Sequence, residues 1–466
     1  MSESLRIAEQ AEELPLRPLS HHLALTVYWL SNSLLWGALL HLGLQSRLSD
    51  WYTQDKVGYY LGIMGFVGGS IATVAQIVTG AFSDRSLSRW GRRRPFVVVG
   101  STFAVCGLMF LGAAKSFWPF AGALVLVQLC SNIALAPFTA LLPDTVNPRE
   151  HGKASGFMGV ARLLGDIGGL ILAGAMLNAN EEISQNKVLL VAFHDQRMPL
   201  LCGVMGAFMV LTAAYTCWTI RERPLKSRPE ATAWQTMIGA FALDVRGYPD
   251  FFWLSISRAV TNLGFYMFLE VLFFFIKYSL GHPDPHLGNP NAERTSMYVM
   301  LPAILVAAAA SVPAGILSDR IGRRPLIFLA QFLLAGAALM FAFAPNLTVV
   351  YLGGVPAGIA YGAFTAVEWA LACNLLPKGE AARYLGLWNA SAAVPQILAF
   401  PLAGAIGSAI SARVPGLGWR VDFGLASLFC LIGAYFLLRV HERRSPRGQT
   451  DAAQETPAAE EQESPA

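Results

Sequence analysis

Twelve apolar stretches dominate this 466-residue sequence, each long enough to cross a bilayer as a helix. They cover 22–44, 57–82, 96–114, 118–142, 153–177, 198–220, 251–277, 296–317, 325–344, 348–376, 385–411 and 421–439. In hydrocarbon, every backbone N–H and C=O must be paired within a helix or a closed barrel. The stretches lack the period-two alternation of barrel strands, so helices are expected. Charged residues make up only 14% of the chain, against roughly 25% in soluble domains. Most of them fall between the apolar stretches.

A duplication orders these segments. Gly80, Ser83, Asp84 and Arg85 recur as Gly315, Ser318, Asp319 and Arg320, and each copy leads to Arg-Arg-Pro (Arg93-Arg94-Pro95 and Arg323-Arg324-Pro325). Leu141-Leu142-Pro143, Arg149 and Gly152 recur as Leu375-Leu376-Pro377, Arg383 and Gly386. Two unlike motifs at nearly one offset predict an all-α membrane protein of two pseudo-symmetric six-helix bundles, the arrangement of a two-bundle transporter. The expected organisation is an N-terminal tail 1–21, a first bundle 22–220, a linker 221–250, a second bundle 251–440 and a tail 441–466. In the linker, Trp234, Met237, Ile238, Phe241 and Val245 form one apolar stripe, as in a helix lying on the membrane or packed against the bundle. The Pro-, Gln-, Ala- and Glu-rich tail after Arg444 reads as disordered. The turn-rich segment Gly281–Glu293 reads as a mobile cap.

Loop charge sets the expected orientation. With both ends inside, the inner segments hold 23 Lys/Arg and the outer ones 9. Both termini are therefore expected in the cytoplasm, in the inner or plasma membrane. The acidic N-terminal tail (Glu3, Glu9, Glu12, Glu13) does not read as a signal peptide. All six cysteines fall inside apolar runs without metal-ligand spacing. No metal site, cofactor or nucleic-acid partner is expected, and the absence of a P-loop or nucleophile arrangement argues against an enzyme or a nucleotide-driven pump. The expected partners are a small-molecule substrate and the lipid bilayer, with the chain working as a monomer.

The second loop, Gly315-Ile-Leu-Ser-Asp319-Arg320-Ile-Gly322-Arg323-Arg324-Pro325, resembles the loop signature of the major facilitator superfamily. In the first copy Asp84 and Gly91 stand further apart, and Ser83-Asp84-Arg85-x3-Arg89-Trp90-Gly91-Arg92-Arg93-Arg94-Pro95-Phe96 resembles the sucrose/proton symporter-like carriers and, less closely, the glycoside/cation symporters. Superfamily resemblance spans nearly the whole chain between the tails, whereas the sugar-carrier resemblance rests on this one loop. Gly80 and Gly315 are expected where two helices approach closely. Asp84 and Asp319 are expected to cap a helix N-terminus or pair with a loop arginine, holding an inner gate shut. Gly91, Arg92, Arg93, Arg320, Gly322 and Arg323 complete the candidate gate, and its arginines would also anchor the loop to anionic headgroups.

Five ionisable residues lie deep in the apolar runs: Arg162 and Asp166 in the fifth, Arg258 and Glu270 in the seventh, Glu368 in the tenth. Each costs roughly 2.5–3.5 kcal/mol at the bilayer centre. Together, unpaired, they would offset the roughly 5–15 kcal/mol that holds a domain folded. They must face a watery cavity or one another. Arg162 and Asp166 stand at i, i+4 and are expected to pair. Arg258 and Glu368 stand at one depth and are expected to meet across a cavity wall. Glu270 lies about 18 Å further out along its helix. Their summed charge is negative, which makes Glu270 or Glu368 the candidate proton carrier. H+ is the expected coupling ion, with Na+ left open.

The resemblance implies a central cavity lined by helices 1, 4, 7 and 10, and these runs hold much of the polar and aromatic material. Tyr28, Asn32 and Trp36, Gln128 and Asn132, Asn262 and Tyr266, Tyr361 and Thr365 are the cavity candidates, with Asn389 and Gln396 on the eleventh. Aromatic faces and amides suit a polyhydroxylated ligand. The expected function is proton-coupled transport of a sugar or glycoside by alternating access. A drug or metabolite exporter, or a transporter-fold receptor or assembly factor, are the alternatives.

Overall fold

The structure is a computed structural model describing residues 15, 16, 18–147, 150–222, 247–280, 289, 291–375 and 381–441. The linker stripe at 234–245, most of the Gly281–Glu293 segment and the tail after His441 lie outside these residues. Twelve long helices account for the fold, all long and apolar enough to cross a membrane, and no strand occurs among the described residues. They are α1 (Leu19–Trp51), α2 (Gln54–Ser83), α3 (Arg94–Ala113), α4 (Phe117–Thr145), α5 (His151–Leu177), α6 (Lys187–Thr219), α7 (Pro249–Tyr278), α8 (Ala292–Ile321), α9 (Arg323–Ala342), α10 (Leu347–Leu375), α11 (Ala381–Ser411) and α12 (Leu417–Leu437). The apolar runs locate all twelve, but two helices extend well beyond them. α1 continues to Trp51 through a π-helical segment, Leu39–Gly43. α6 begins at Lys187, capped by the Asn186 side chain, which accepts from the Val188 and Leu189 N–H groups.

Helices of the first half pack on one another, α1 on α5 and α3 on α4 and α6. Those of the second half do likewise, α7 on α12 and α10 on α8 and α9. The halves meet along α2–α11 and α5–α8. The α2–α11 seam is built on glycine: a Cβ at Gly58 would stand 2.4 Å from the Gly404 carbonyl oxygen, and one at Gly62 2.8 Å from the Pro401 Cα. Backbones come this close only where side chains are missing. Hydrogen bonds cross the seam from Gly58 N–H to Ser408 Oγ (2.9 Å) and from Gly416 N–H to Gln54 Oε1 (3.2 Å).

The face carrying the start of α1 and the end of α12 is called here the terminal face, and its opposite the far face. All the seam contacts just named lie in the far half. Toward the terminal face the halves part. A Cβ at Gly80, Gly156, Gly159 or Gly315 would meet nothing within 4 Å. This corrects the expectation that Gly80 and Gly315 mark close helix approaches: in this conformation both positions face open space.

Candidate functional site

At the terminal face, Gly91 and Gly322 both take positive φ, 104° and 99°, where a β-carbon is disfavoured. Gly322 turns the chain directly before α9, and Gly91 does so three residues before α3 begins at Arg94. Most of the first copy's longer spacing from Asp84 thus lies before the turn, and both copies turn on a glycine of similar φ.

Around the first turn, Arg93 Nη2 lies 2.5 Å from Asp84 and Arg93 Nε 3.0 Å from Asp144, while Arg93 Nη1 donates to Ser83 Oγ (2.5 Å). Arg92 Nε also bonds Asp144 (3.1 Å), with a second contact from its Nη2. The start of α3 is capped by Glu222, whose carboxylate accepts from the N–H groups of Arg93 (2.9 Å) and Arg94 (2.9 Å). Burial holds the Glu222 carboxyl above its ordinary value, and those N–H groups offset only part of that rise. So Asp84 pairs with a loop arginine, as expected, while the cap comes from Glu222. Sequence reasoning missed both Asp144 and Glu222. Asp144 follows Leu141-Leu142-Pro143 directly and was within reach of the repeat argument. Arg85 is half-buried.

The second copy differs. Arg323 reaches Asp319 at 3.4 Å and donates to the Ala370 carbonyl, and Arg324 donates to the Leu438 carbonyl at 2.7 Å. Arg320 is exposed. At the repeat offset Asp144 corresponds to Lys378, so the anion that ties two arginines in the first half has a cation as its counterpart.

In the membrane interior Arg258 and Glu368 meet: Nε to Oε2 is 3.6 Å, with the side chains 18% and 3% exposed. The Arg258 guanidinium also lies over the buried Trp388 ring, 3.9 Å from its centroid. The pair is incompletely satisfied. Arg258 Nε and Nη1, Glu368 Oε1 and Trp388 Nε1 have no hydrogen-bond partner among the described residues. Tyr266 is within electrostatic reach of Arg162, Arg258, Glu270 and Glu368, which brings charges of both halves to one place. Tyr361 stacks on Phe265, with centroids 3.7 Å apart and planes 6° apart.

Other expectations fare differently. Arg162 forms no ion pair with Asp166 within 4.0 Å among the described residues; its guanidinium lies over Trp29, 5.9 Å from the centroid. Asp166 instead stands where α5 presses on α1, with its backbone 2.6 Å from where a Cβ of Gly37 would be. Arg162 is exposed. Tyr28 does not line the cavity: it is buried, bonded to Ser101 Oγ at 2.9 Å and packed on Phe138, because its face of α1 turns toward α3 and α4. Glu270 is buried, with Oε2 unpartnered among the described residues. Asn132 is held by Gln128 of its own helix (2.7 Å to the backbone oxygen) and by Gln76 of α2 (2.6 Å), a residue not anticipated. Asn32 and Asn262 are buried, Trp36, Tyr266 and Gln396 half-buried, Thr365 and Asn389 exposed. Thr365 Oγ1 spends its proton on its own helix, at the Tyr361 carbonyl.

The far face holds a cluster that sequence reasoning placed in loops. Of the nine expected outer cations, only Lys115 and Arg413 lie between helices. Arg47 is fully buried and bonds Asp50 (2.8 Å), Asp195 (2.7 Å) and the Ala114 carbonyl (3.2 Å). His194 is buried beside Asp50. Polarity alone ended the first run at 44 and started the sixth at 198, so these residues were cut off from their helices. The i, i+3 spacing of Arg47 and Asp50 was the available signal.

Comparison with known proteins agrees with this architecture. The Major Facilitator Superfamily profile matches residues 21–308 and 286–462. The class C tetracycline resistance protein of Escherichia coli is 36% identical over 135 residues, which is 28% of this chain and 32% of that protein. Among solved structures, a bacterial homologue of the human lysosomal transporter Spinster, inward-facing and occupied, superposes with TM-score 0.70 at 16% identity, covering 91% of this chain and 98% of that one. A D-xylose–proton symporter superposes with TM-score 0.64 at 13% identity, covering 90% and 97%. With twelve membrane-length helices in two packed halves and a profile match over nearly their whole extent, this chain belongs to the major facilitator superfamily of transporters.

Proposed function

We propose that the chain carries a small polyhydroxylated solute, a sugar or glycoside, together with a proton. The observation that carries this reading is the incompletely bonded Arg258–Glu368 pair over Trp388. Buried polar groups without partners are costly, and a hydroxylated ligand supplies what they lack. Its hydroxyls donate to Glu368 Oε1 and accept from Arg258 Nη1. The aromatic faces nearby cover the apolar side of a sugar ring. The D-xylose–proton symporter of this fold makes that pairing of solute and ion compatible with the frame.

The coupling follows from charge. Arg162, Asp166, Arg258, Glu270 and Glu368 sum to one excess negative charge, and a proton on Glu270 or Glu368 cancels it. A neutral site crosses between facing states at lower cost than a charged one in low dielectric. The positive-inside bias supports a cytoplasmic terminal face in the inner or plasma membrane, so the described state opens inward. Rocking of the halves then exposes the site to each side in turn, and a single chain contains every part this requires.

The test is uptake of a labelled sugar panel into proteoliposomes under an imposed pH gradient, with a Na+ gradient as control. Accumulation of at least one sugar driven by the pH gradient is expected. A flat response to all sugars under both gradients overturns the substrate reading. Accumulation under the Na+ gradient alone overturns the proton reading.

A further inference from the structure

The buried far-face cluster lies outside the central site and joins the two bundles. His194 on α6 is fully buried. Its Nδ1 stands 2.9 Å from both Asp50 oxygens, and its Nε2 stands 3.1 Å from the Leu177 carbonyl and 3.4 Å from Ser46 Oγ. Asp50 also accepts a charge-assisted hydrogen bond from Arg47 at 2.8 Å. Both ring nitrogens therefore face acceptors. Either neutral tautomer would turn a lone pair against one of them, so this geometry calls for the doubly protonated ring.

The consequence reaches across the seam. Ser46 Oγ donates to Glu293 Oε1 of α8 at 2.9 Å, and Lys277 of α7 donates to Ser49 Oγ of α1 at 2.6 Å. A chain of hydrogen bonds thus runs from Asp50 through His194 and Ser46 to Glu293, from one bundle to the other. The charged groups acting on His194 are Asp50 on α1, Glu293 on α8 and Lys277 on α7; Arg47 bonds Asp50 and pairs with Asp195, and the exposed Lys187 of α6 borders Asp50. With His194 protonated, it and Lys277 balance Asp50 and Glu293. Loss of the proton leaves a buried excess of negative charge beside Glu293, which belongs to the opposite bundle. A cavity of about 20 Å³, lined by Ser49, Asp50, Lys187, Lys277 and Tyr278, lies next to Asp50 at this face. It has room for one water to pass a proton to the carboxylate.

We propose that His194 is a proton-binding site separate from the central one and acts as a latch: its protonation holds the far face closed, and its deprotonation releases Glu293 and lets that face open. The latch rests on the alternating-access reading above. Acidity on the far side therefore favours the state open at the terminal face.

The experiment places spin labels on exposed far-face positions of the two halves, Gln185 and Val414, in a chain whose six native cysteines are replaced. Electron–electron distances are measured from acid to mildly alkaline pH. In the otherwise native chain, the long-distance population is expected to grow several-fold as pH rises through the histidine range. His194→Gln is expected to remove that response, and Glu293→Gln to keep the face closed at high pH. Because His194→Gln perturbs a buried site, Asp50→Asn serves as a second test and should move the midpoint to lower pH. A response unchanged in His194→Gln and Asp50→Asn overturns the latch while leaving alternating access intact. A distance fixed at every pH, with or without a sugar panel, overturns the latch and alternating access together.

Discussion

Arg258 lies face-on against Trp388, its guanidinium carbon 3.9 Å from the ring centroid, with Glu368 3.6 Å from its Nε. Stacking and charge pairing act on one planar group, which arginine supplies and lysine does not. Arg258→Lys keeps the charge and loses the plane. A cation–π contact is worth roughly 0.5–2 kcal/mol, so substrate affinity should fall about 2- to 30-fold. Substrate binding to purified protein, followed by calorimetry, is the check. An unchanged affinity would remove Arg258 from the site.

Glu368 has a separate task. Glu368→Gln preserves shape and hydrogen-bonding capacity but cannot ionise. The expected outcome is loss of accumulation driven by a pH gradient, with solute exchange at equal pH retained. Glu270→Gln in the same assay distinguishes the two carboxylates. If both variants accumulate solute like the parent, neither is the proton carrier.

Glu222 caps α3 from the end of α6. Removing an N-terminal cap costs about 0.5–2 kcal/mol, so Glu222→Ala should lower the unfolding midpoint in detergent. The pH dependence has a definite sign. The folded carboxyl holds its proton above the ordinary 4.5, so it binds that proton more tightly than the unfolded chain does. Its contribution to stability is greatest below pH 4.5 and is lost as pH rises through the elevated value. Thermal melts of the parent and of Glu222→Gln across that range should differ in slope, the variant being flatter.

The two sets of glycines should behave oppositely. A side chain at Gly58 collides with the Gly404 backbone in the present state, whereas one at Gly315 meets empty space. Gly58→Leu should drive the far face open, and Gly315→Leu should leave the present state intact but block closure of the terminal face. Thiol labelling of cysteines introduced on either face reads both shifts. Equal labelling in the two variants would contradict the rocking geometry.

Much of this was legible in the sequence because hydrocarbon is a demanding solvent. The runs located every membrane-length helix, and the depth argument brought Arg258 to Glu368 because both positions were counted from helix ends. The same counting failed for Tyr28, since its depth is right but its azimuth points at Ser101. It failed for Gly80 and Gly315 because a motif describes a protein that alternates, and one conformation shows only half of its contacts. Arg47, Asp50 and His194 escaped the hydropathy reading for another reason. Mutually neutralising charges are polar in any hydropathy window, yet together they are buried like a core.

The π-helical segment Leu39–Gly43 has a consequence for which sequence changes this chain tolerates. The wide turn holds one residue more than an α-helical turn would, and so fixes the direction in which Arg47 and Asp50 leave α1. Tightening it to plain α-helix at constant length would rotate them by about 100° around the helix axis, out of register with Asp195 and His194. Losing one residue along with the bulge would instead leave their face where it is, so a one-residue deletion within those five residues is the length change the far-face cluster tolerates.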